Sequence, residues 1–365
     1  MRPWIYSLMT IALVFGHSVM AQSFKKTNHY QETFPLTHQM EVSIINKYGD
    51  IQIIHWEKDS VMIEVEVEVN SNKESKAEKL FQSIDIKFRN NFFYVVAETS
   101  LAGKSTVWND ISDKTKLLFN SNTTTRINYV VYMPNTFKLS IQNKYGQVYL
   151  GDYKGELDVN LSNGDFKAHH LLGNTKLKIS FGDLYIGRLT HGLLEANNAE
   201  AEIEECTFLE TNTKVSKLRI EKIEELQMNS AHDKYYIGIL SKVSGLSRYT
   251  FLKINELDRH IDISQKFGSM HFRHIDSNVG RFYLNTYKTD IHLSLSQEQE
   301  YHIDLRSIIQ PVIQFPAGDY EKTEKVIDDE KGLKSTSIIL GDKNSKALIP
   351  LNIQAEEGHV FINVK

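Results

Sequence analysis

The sequence predicts a mainly β chain, a parallel β-solenoid with rungs of 17–18 residues, capped by a small N-terminal α/β module. Three observations carry this prediction. First, a turn phrase recurs at fixed spacing: NKYGQVYL ends at Leu150, SNGDFKA at Ala168 and SFGDLYI at Ile186, in steps of 18 residues. Short apolar strands then end at Ile203, Ile220, Ile237 and Ile254 in steps of 17, and KFGSMHF ends at Phe272 after a step of 18. Second, two positions before these ends stand Val148, Phe166, Leu184, Ala201, Leu218, Tyr235, Leu252 and Met270. Each strand therefore has two inward residues that stack from rung to rung. Third, a bend column reads Gly146, Gly164, Gly182, Ala199, Ser216, Asp233, Thr250 and Gly268. Glycine there implies left-handed or bulged backbone, and the other residues fit a tight corner. A single rung cannot bury its few apolar side chains, whereas rungs stacked about 4.8 Å apart share a continuous core.

Upstream of the bends, Leu139 and Ile141, Leu157 and Val159, Leu177 and Ile179, Leu226 and Met228, Ile261 and Ile263, and Phe282 and Leu284 alternate with polar residues. Each rung is thus expected to hold a second short strand. The alternation excludes a helical solenoid, and the absence of an LxxLxL frame excludes a leucine-rich repeat.

The remaining elements are read from the N-terminus. Residues 1–21, MRPWIYSLMTIALVFGHSVMA, have Arg2 at the start, an apolar run from Ile5 to Phe15, and Val19 and Ala21 before a cleavage point. That pattern is a secretory signal peptide, too short to span a membrane, with mature sequence from Gln22. Residues 22–134 form the α/β module and the first rungs. Within them, NKYGDIQI at 46–53 repeats the turn phrase of 143–150, and MIEVEVEV alternates as a strand. A helix follows over SNKESKAEKLFQSI, with Ser71 as its cap and Ala77, Leu80, Phe81 and Ile84 on its apolar stripe. Strands are expected at 84–88, 92–97 and 126–133. The polar stretch from Thr99 to Thr125 is long enough to be a cover over a ligand site. Residues 135–317 are the repeats. Residues 318–365 are a charged loop followed by closing strands, in which EEGHVFINV echoes the turn once more.

Composition removes several functions. Lys+Arg 42 against Asp+Glu 46 leaves a net charge of −4, without the basic field that nucleic-acid binding needs. The one cysteine, Cys206, has no disulfide partner in the chain. With Glu204 and Glu205 beside it, it reads as a small hydrophobe rather than a nucleophile. No HExxH motif is present, and adjacent His169 and His170 on a strand would point to opposite faces, so no metal site is expected. No cofactor motif, serine-histidine-aspartate set or phosphate-binding glycine loop is visible. The turn carboxylates Asp165 and Asp183 are expected to bond local backbone amides.

One outward column is the candidate contact surface: Tyr149, Lys167, Tyr185, Glu202, Arg219, Tyr236, Lys253 and His271. Tyr149, Lys167, Tyr185, Arg219, Tyr236 and Lys253 are its proposed binding residues. Tyr185 with Lys167, and Tyr236 with Lys253, are the expected cation–π pairs, worth about 0.5 to 1 kcal/mol each at exposed sites. A glycan-processing alternative would use two carboxylates, or a carboxylate with Lys or Arg, on neighbouring rungs, and the stack offers Asp165 beside Asp183 and Glu202 beside Arg219.

The signal, the phrase NKYGDIQIIHWEKDSVMIEVEVEV, the short helix, the strand INYVVYMP and the train of GD turns together resemble the family named putative adhesin. Its members are exported β-solenoid proteins of bacterial envelopes, related to auto-transporter adhesin head domains. The resemblance covers roughly residues 36 to 364, with the GD turn lost from Asn198 to Phe251. It implies an exported, non-enzymatic binding or structural surface for glycan or envelope protein, in the periplasm, at the cell surface or outside the cell. An envelope-sensing scaffold is a further reading. No transmembrane segment is expected in the mature chain.

Overall fold

The computed structural model describes residues 23–37, 39–101, 104–105, 123–315 and 319–365. The signal-peptide expectation for residues 1–21 lies outside them, as does most of the 99–125 stretch. The described chain is mainly β, with twenty-three strands and one helix. Its body is a long parallel stack. The strands Phe166–Ser180, Asp183–Asn197, Glu200–Lys214, Lys217–Ala231 and Lys234–Phe272 pair in sequence, each parallel to the next. Phe166 lies beside Leu184, Leu184 beside Ala201, Ala201 beside Leu218, and Leu218 beside Tyr235. All five are buried, so the predicted inner column exists with its predicted register. Lys234–Phe272 covers 39 residues and continues the step: Leu252 is buried as Tyr235 is, and the Phe251 amide donates to the Asp233 carbonyl at 2.9 Å.

The repeated NKYG phrases explain how the N-terminal part joins this body. Glu41–Lys47 runs parallel to Lys138–Lys144 with Asn46 on Asn143, and Ile51–His55 runs parallel to Val148–Leu150 with Ile51 on Val148. The phrase is therefore stacked directly on its own copy. The Asn46 and Asn143 side chains both donate to the carbonyl of Gly49, at 3.3 and 3.0 Å, which closes the buried corner. Beyond this level the stack passes to Thr123–Met133 and Tyr94–Leu101. Antiparallel partners follow: Thr123–Met133 with Ser60–Ser71, Ser60–Ser71 with Phe24–Pro35, and Tyr94–Leu101 with Ile84–Asn90. Phe24–Pro35 is a strand that the polar sequence QSFKKTNHYQE conceals, because lysines and exposed side chains suit an edge.

The helix spans Glu74–Ser83, with Ala77 and Leu80 buried. Its N-terminal residue Lys73 has no side-chain cap. Ser71 instead ends a strand, accepting from the Lys73 amide at 3.3 Å and bonding the Thr123 hydroxyl at 3.1 Å. Ile84 begins the next strand, and Phe92 and Phe93, expected within a strand, lie exposed in the turn between Ile84–Asn90 and Tyr94–Leu101.

At the other end Arg281–Leu295 pairs parallel with both Ile349–Glu356 and His359–Val364, placing Ile291 on Val360. The EEGHVFINV echo thus joins the stack as expected. Tyr301–Ser307 pairs with Ile349–Glu356 and with Leu333–Leu340. The charged stretch expected as loop contains a strand, Glu321–Asp328, antiparallel to Leu333–Leu340.

Two local expectations are corrected. The left-handed residue is the one before the bend column: Tyr145, Asn163, Phe181, Asn198, Val215, His232, Tyr249 and Phe267 have φ between 50 and 63°. Gly146, Gly164 and Gly182 are needed for close approach instead, because a Cβ on each would stand 1.9 to 2.0 Å from the carbonyl oxygen of the glycine in the neighbouring level. Of the bend column, Gly268 alone is itself left-handed, at φ +104. The upstream column is also three residues deep rather than two. Leu157, Val159 and Leu161 lie on Thr175, Leu177 and Ile179, so the expected Leu157 and Leu177 occupy different columns.

Where Ser216, Asp233 and Thr250 replace the bend glycine, the polar side chain is buried and hydrogen-bonded. Asp233, 2% exposed, accepts from the Ser216 amide at 2.7 Å, the Thr213 and Ser230 hydroxyls at 2.7 Å, and the Ala231 amide at 2.9 Å. The Tyr235 hydroxyl bonds Thr213 at 2.8 Å, and burial pushes its pKa upward. A buried carboxylate is tolerable only when its lone pairs are met in this way.

Candidate binding surface

Because side chains alternate across a strand, the residues between the two buried columns must all face outward. The pairings place them in one line: Tyr149 beside Lys167, Lys167 beside Tyr185, Tyr185 beside Glu202, Glu202 beside Arg219, and Arg219 beside Tyr236. Lys253 and His271 follow between buried Leu252 and Ile254 and between buried Met270 and Phe272. Lys167, Tyr185, Glu202 and Arg219 are exposed, and Tyr149, Tyr236 and Lys253 are half-buried.

The cation–π partners differ from those expected. Lys167 lies over Tyr149 at 6.0 Å and Arg219 over Tyr236 at 5.7 Å, while the Tyr185 hydroxyl donates to the Glu204 carboxylate. That acidic neighbour raises the pKa of Tyr185. Tyr185 is drawn toward the acidic side of its strand, which leaves Lys167 to the ring on its other flank. Lys167, Tyr185 and Arg219 line a shallow groove of about 230 Å³ with Asp183, Glu200 and Glu202. Tyr149 lines a separate cleft of about 710 Å³ with Tyr30, Gln52 and Asn128.

The column does not end at His271. Phe251 packs between Tyr236 at 5.5 Å and His271 at 5.0 Å, His271 stacks on His292 at 4.1 Å, and His292 stacks on Phe361 at 4.4 Å. Burial lowers the pKa of both histidines. Sequence reading missed His292 and Phe361 because they lie beyond the regular repeat, and Phe251 because it stands two positions before Lys253, beside the chosen column rather than in it. A second line of rings stands on the left-handed corner: Tyr48 on Tyr145 at 5.5 Å, then His232, Tyr249 and Phe267 at 4.6 Å each. Its sequence signal was the residue preceding each bend position.

Of the two turn carboxylates, Asp165 bonds an amide, but across levels rather than within its turn: its Oδ1 accepts from the Asp183 amide at 3.1 Å, as Asp50 Oδ1 does from the Gln147 amide at 2.8 Å, whereas the exposed Asp183 carboxylate makes no such bond among the described residues. Glu202, Glu204, Glu205 and Glu221 line an open depression of about 770 Å³, in which Arg188 pairs with Glu205 at 2.6 Å. Cys206 sits in an inner column between Leu189 and Ile223, and burial pushes its thiol pKa up to about 12, in keeping with a packing role.

The expected opposition of His169 and His170 is overturned. Ala168 and Leu171 are both buried, so the two residues between them turn outward together at a second corner. Their rings stack at 3.7 Å, and both Nδ1 atoms meet Asp152 Oδ1, at 2.7 and 3.0 Å.

No family model and no curated protein matches the chain. The chain is similar to solved structures of a putative cell adhesion protein and of putative adhesins. A putative cell adhesion protein from Clostridium sporogenes has 12% identity and a TM-score of 0.20, covering 93% of this chain and 100% of its own. A putative adhesin from Parabacteroides distasonis has 8% identity and a TM-score of 0.30, covering 92% and 97%. A putative adhesin from Bacteroides fragilis has 7% identity and a TM-score of 0.24, with the same coverage. At these values the likeness bears on neither partner nor activity. Among the described residues no helix is long and apolar enough to cross a membrane.

Proposed function

We propose that the chain is an exported β-solenoid, closed at one end by the N-terminal α/β module, that acts as a non-enzymatic, adhesin-like binding surface for glycan or protein at the bacterial envelope. The observation that carries this reading is the unbroken outward register from Tyr149 through Lys167, Tyr185, Glu202 and Arg219 to Tyr236. Alternating rings and charges at repeat spacing offer stacking faces to sugar rings and hydrogen-bonding groups to hydroxyls or peptide. Each contact is weak, and repetition along the column multiplies them into avidity without a deep pocket.

The test is a glycan array and an envelope-protein pull-down with the wild type and with a Tyr185→Ala, Arg219→Ala, Tyr236→Ala triple variant. Retained far-UV circular dichroism with at least a tenfold loss of binding, roughly the loss of one good contact, is the expected result. Undiminished binding by the triple variant overturns the reading. Sugar release by the wild type that disappears in Glu202→Gln overturns the non-enzymatic part and favours glycan processing.

A further inference from the structure

We propose that Asp152, His169 and His170 form a surface site for a divalent transition-metal ion of the zinc type. Among the described residues they are the group of three potential ligands whose donor atoms lie within 4.8 Å of one another. Two imidazole nitrogens and one carboxylate oxygen suit zinc, cobalt or nickel, whereas calcium and magnesium prefer shells made of oxygen.

The backbone holds the group in place. The Tyr153 amide donates to the His170 carbonyl at 2.7 Å, and the Leu172 amide donates to the Tyr153 carbonyl at 2.8 Å, so the two levels that supply the ligands are locked together. Tyr153 itself is buried, with its hydroxyl donating to the Phe137 carbonyl at 2.6 Å. In the next level Gly187 lets the backbones approach closely: a Cβ there would stand 2.8 Å from the His169 carbonyl oxygen, whereas its 3.7 Å to His169 Cδ2 would be ordinary contact. His169 and His170 lie within the strand Phe166–Ser180, and Asp152 lies in a bend held by the isolated bridge between Tyr153 and Leu171.

The separations fit entry of an ion. With metal–ligand bonds of about 2.0–2.2 Å, ligand atoms around a tetrahedral ion lie about 3.3 Å apart. The observed 2.7 and 3.0 Å contacts need only a small opening of exposed side chains. On binding, each imidazole presents its Nδ1 lone pair to the metal with its proton on Nε2, while the Asp152 carboxylate turns from the two rings to the cation. Three protein ligands leave a position for water at this exposed corner.

The test is titration of tag-free protein with Co²⁺, followed by ligand-field absorption and then by competition with Zn²⁺. One equivalent of Co²⁺ is expected, displaced by one of Zn²⁺. Asp152→Asn and His170→Ala should each weaken binding at least about 100-fold, since losing a supporting partner alone costs 10–100-fold. Both changes lie at the surface, and unchanged circular dichroism verifies the fold. His170→Gln serves where the alanine variant does not fold. His191→Ala, remote from the group and tilted against Phe208, should leave affinity unchanged. Failure of the wild type to bind Co²⁺, or undiminished binding by both Asp152→Asn and His170→Gln, overturns the proposal, and loss of that binding in His271→Ala would move the site to the histidine stack.

Discussion

The ring of Tyr48 stacks on the ring of Tyr145 at 5.5 Å and 7°, although the residues are far apart in sequence, and each is the third residue of an NKYG phrase. Both are left-handed, at φ 70 and 62°, and each precedes a glycine. The identical phrases form identical corners, and identical corners stack.

That corner makes a prediction about which residue tolerates change. Gly164→Ala places a methyl 2.0 Å from the Gly146 carbonyl oxygen and should cost about 1–3 kcal/mol or more, as overpacking does. Asn163→Gly, at φ 57°, should be neutral or stabilising by up to about 1 kcal/mol, because glycine accepts that conformation without a Cβ penalty. Urea denaturation midpoints of the two variants measure the difference, and the reverse order would refute the assignment.

Asp233 is predicted to be a structural carboxylate. Asp233→Ala strands two amides and two hydroxyls and should cost at least about 2 kcal/mol, given about 1–3 kcal/mol for each buried group left unmet. Asp183→Ala, on an exposed residue, should stay within about 0.5 kcal/mol. Equal effects in equilibrium unfolding would contradict the network.

The stacked His271–His292 pair predicts a pH dependence. Burial holds both below the ordinary value of 6.5, so in the window just below 6.5 the unfolded chain binds protons that the folded chain does not. Stability contributed by the pair is complete above 6.5 and falls as the pH drops through that window. A His271→Phe, His292→Phe variant should keep the rings stacked and flatten this part of the curve. An unchanged slope in denaturation midpoint against pH would rule the pair out as its source.

Much of the body was legible because the code is periodic. Two alternating columns and a step of 17–18 residues determine which side chains meet, and the predicted column from Val148 to Tyr235 is found residue for residue. What escaped were departures from strand alternation. His169 and His170 share a side because the chain turns a corner between buried Ala168 and Leu171. The corner glycines were legible as positions but not as causes, since close approach between levels and left-handed backbone both favour glycine. The strand Phe24–Pro35 has little apolar signal because it lies at an edge, and Phe361 joins the aromatic column only through pairing with the distant strand Arg281–Leu295. The cation–π partners depended on the pull of Glu204 on Tyr185, which register alone does not encode.

Deleting residues 165–182 probes the stacking of levels itself. The cut removes one 18-residue step and joins Gly164 to Asp183, restoring a GD corner and placing Leu184 where Phe166 stood. In a stack whose levels contact only their neighbours, this shortened protein should keep its β circular dichroism and unfold cooperatively. A deletion of half that length from the same start should abolish folding. Collapse of both shortened chains, or survival of both, would contradict the stacked-repeat account.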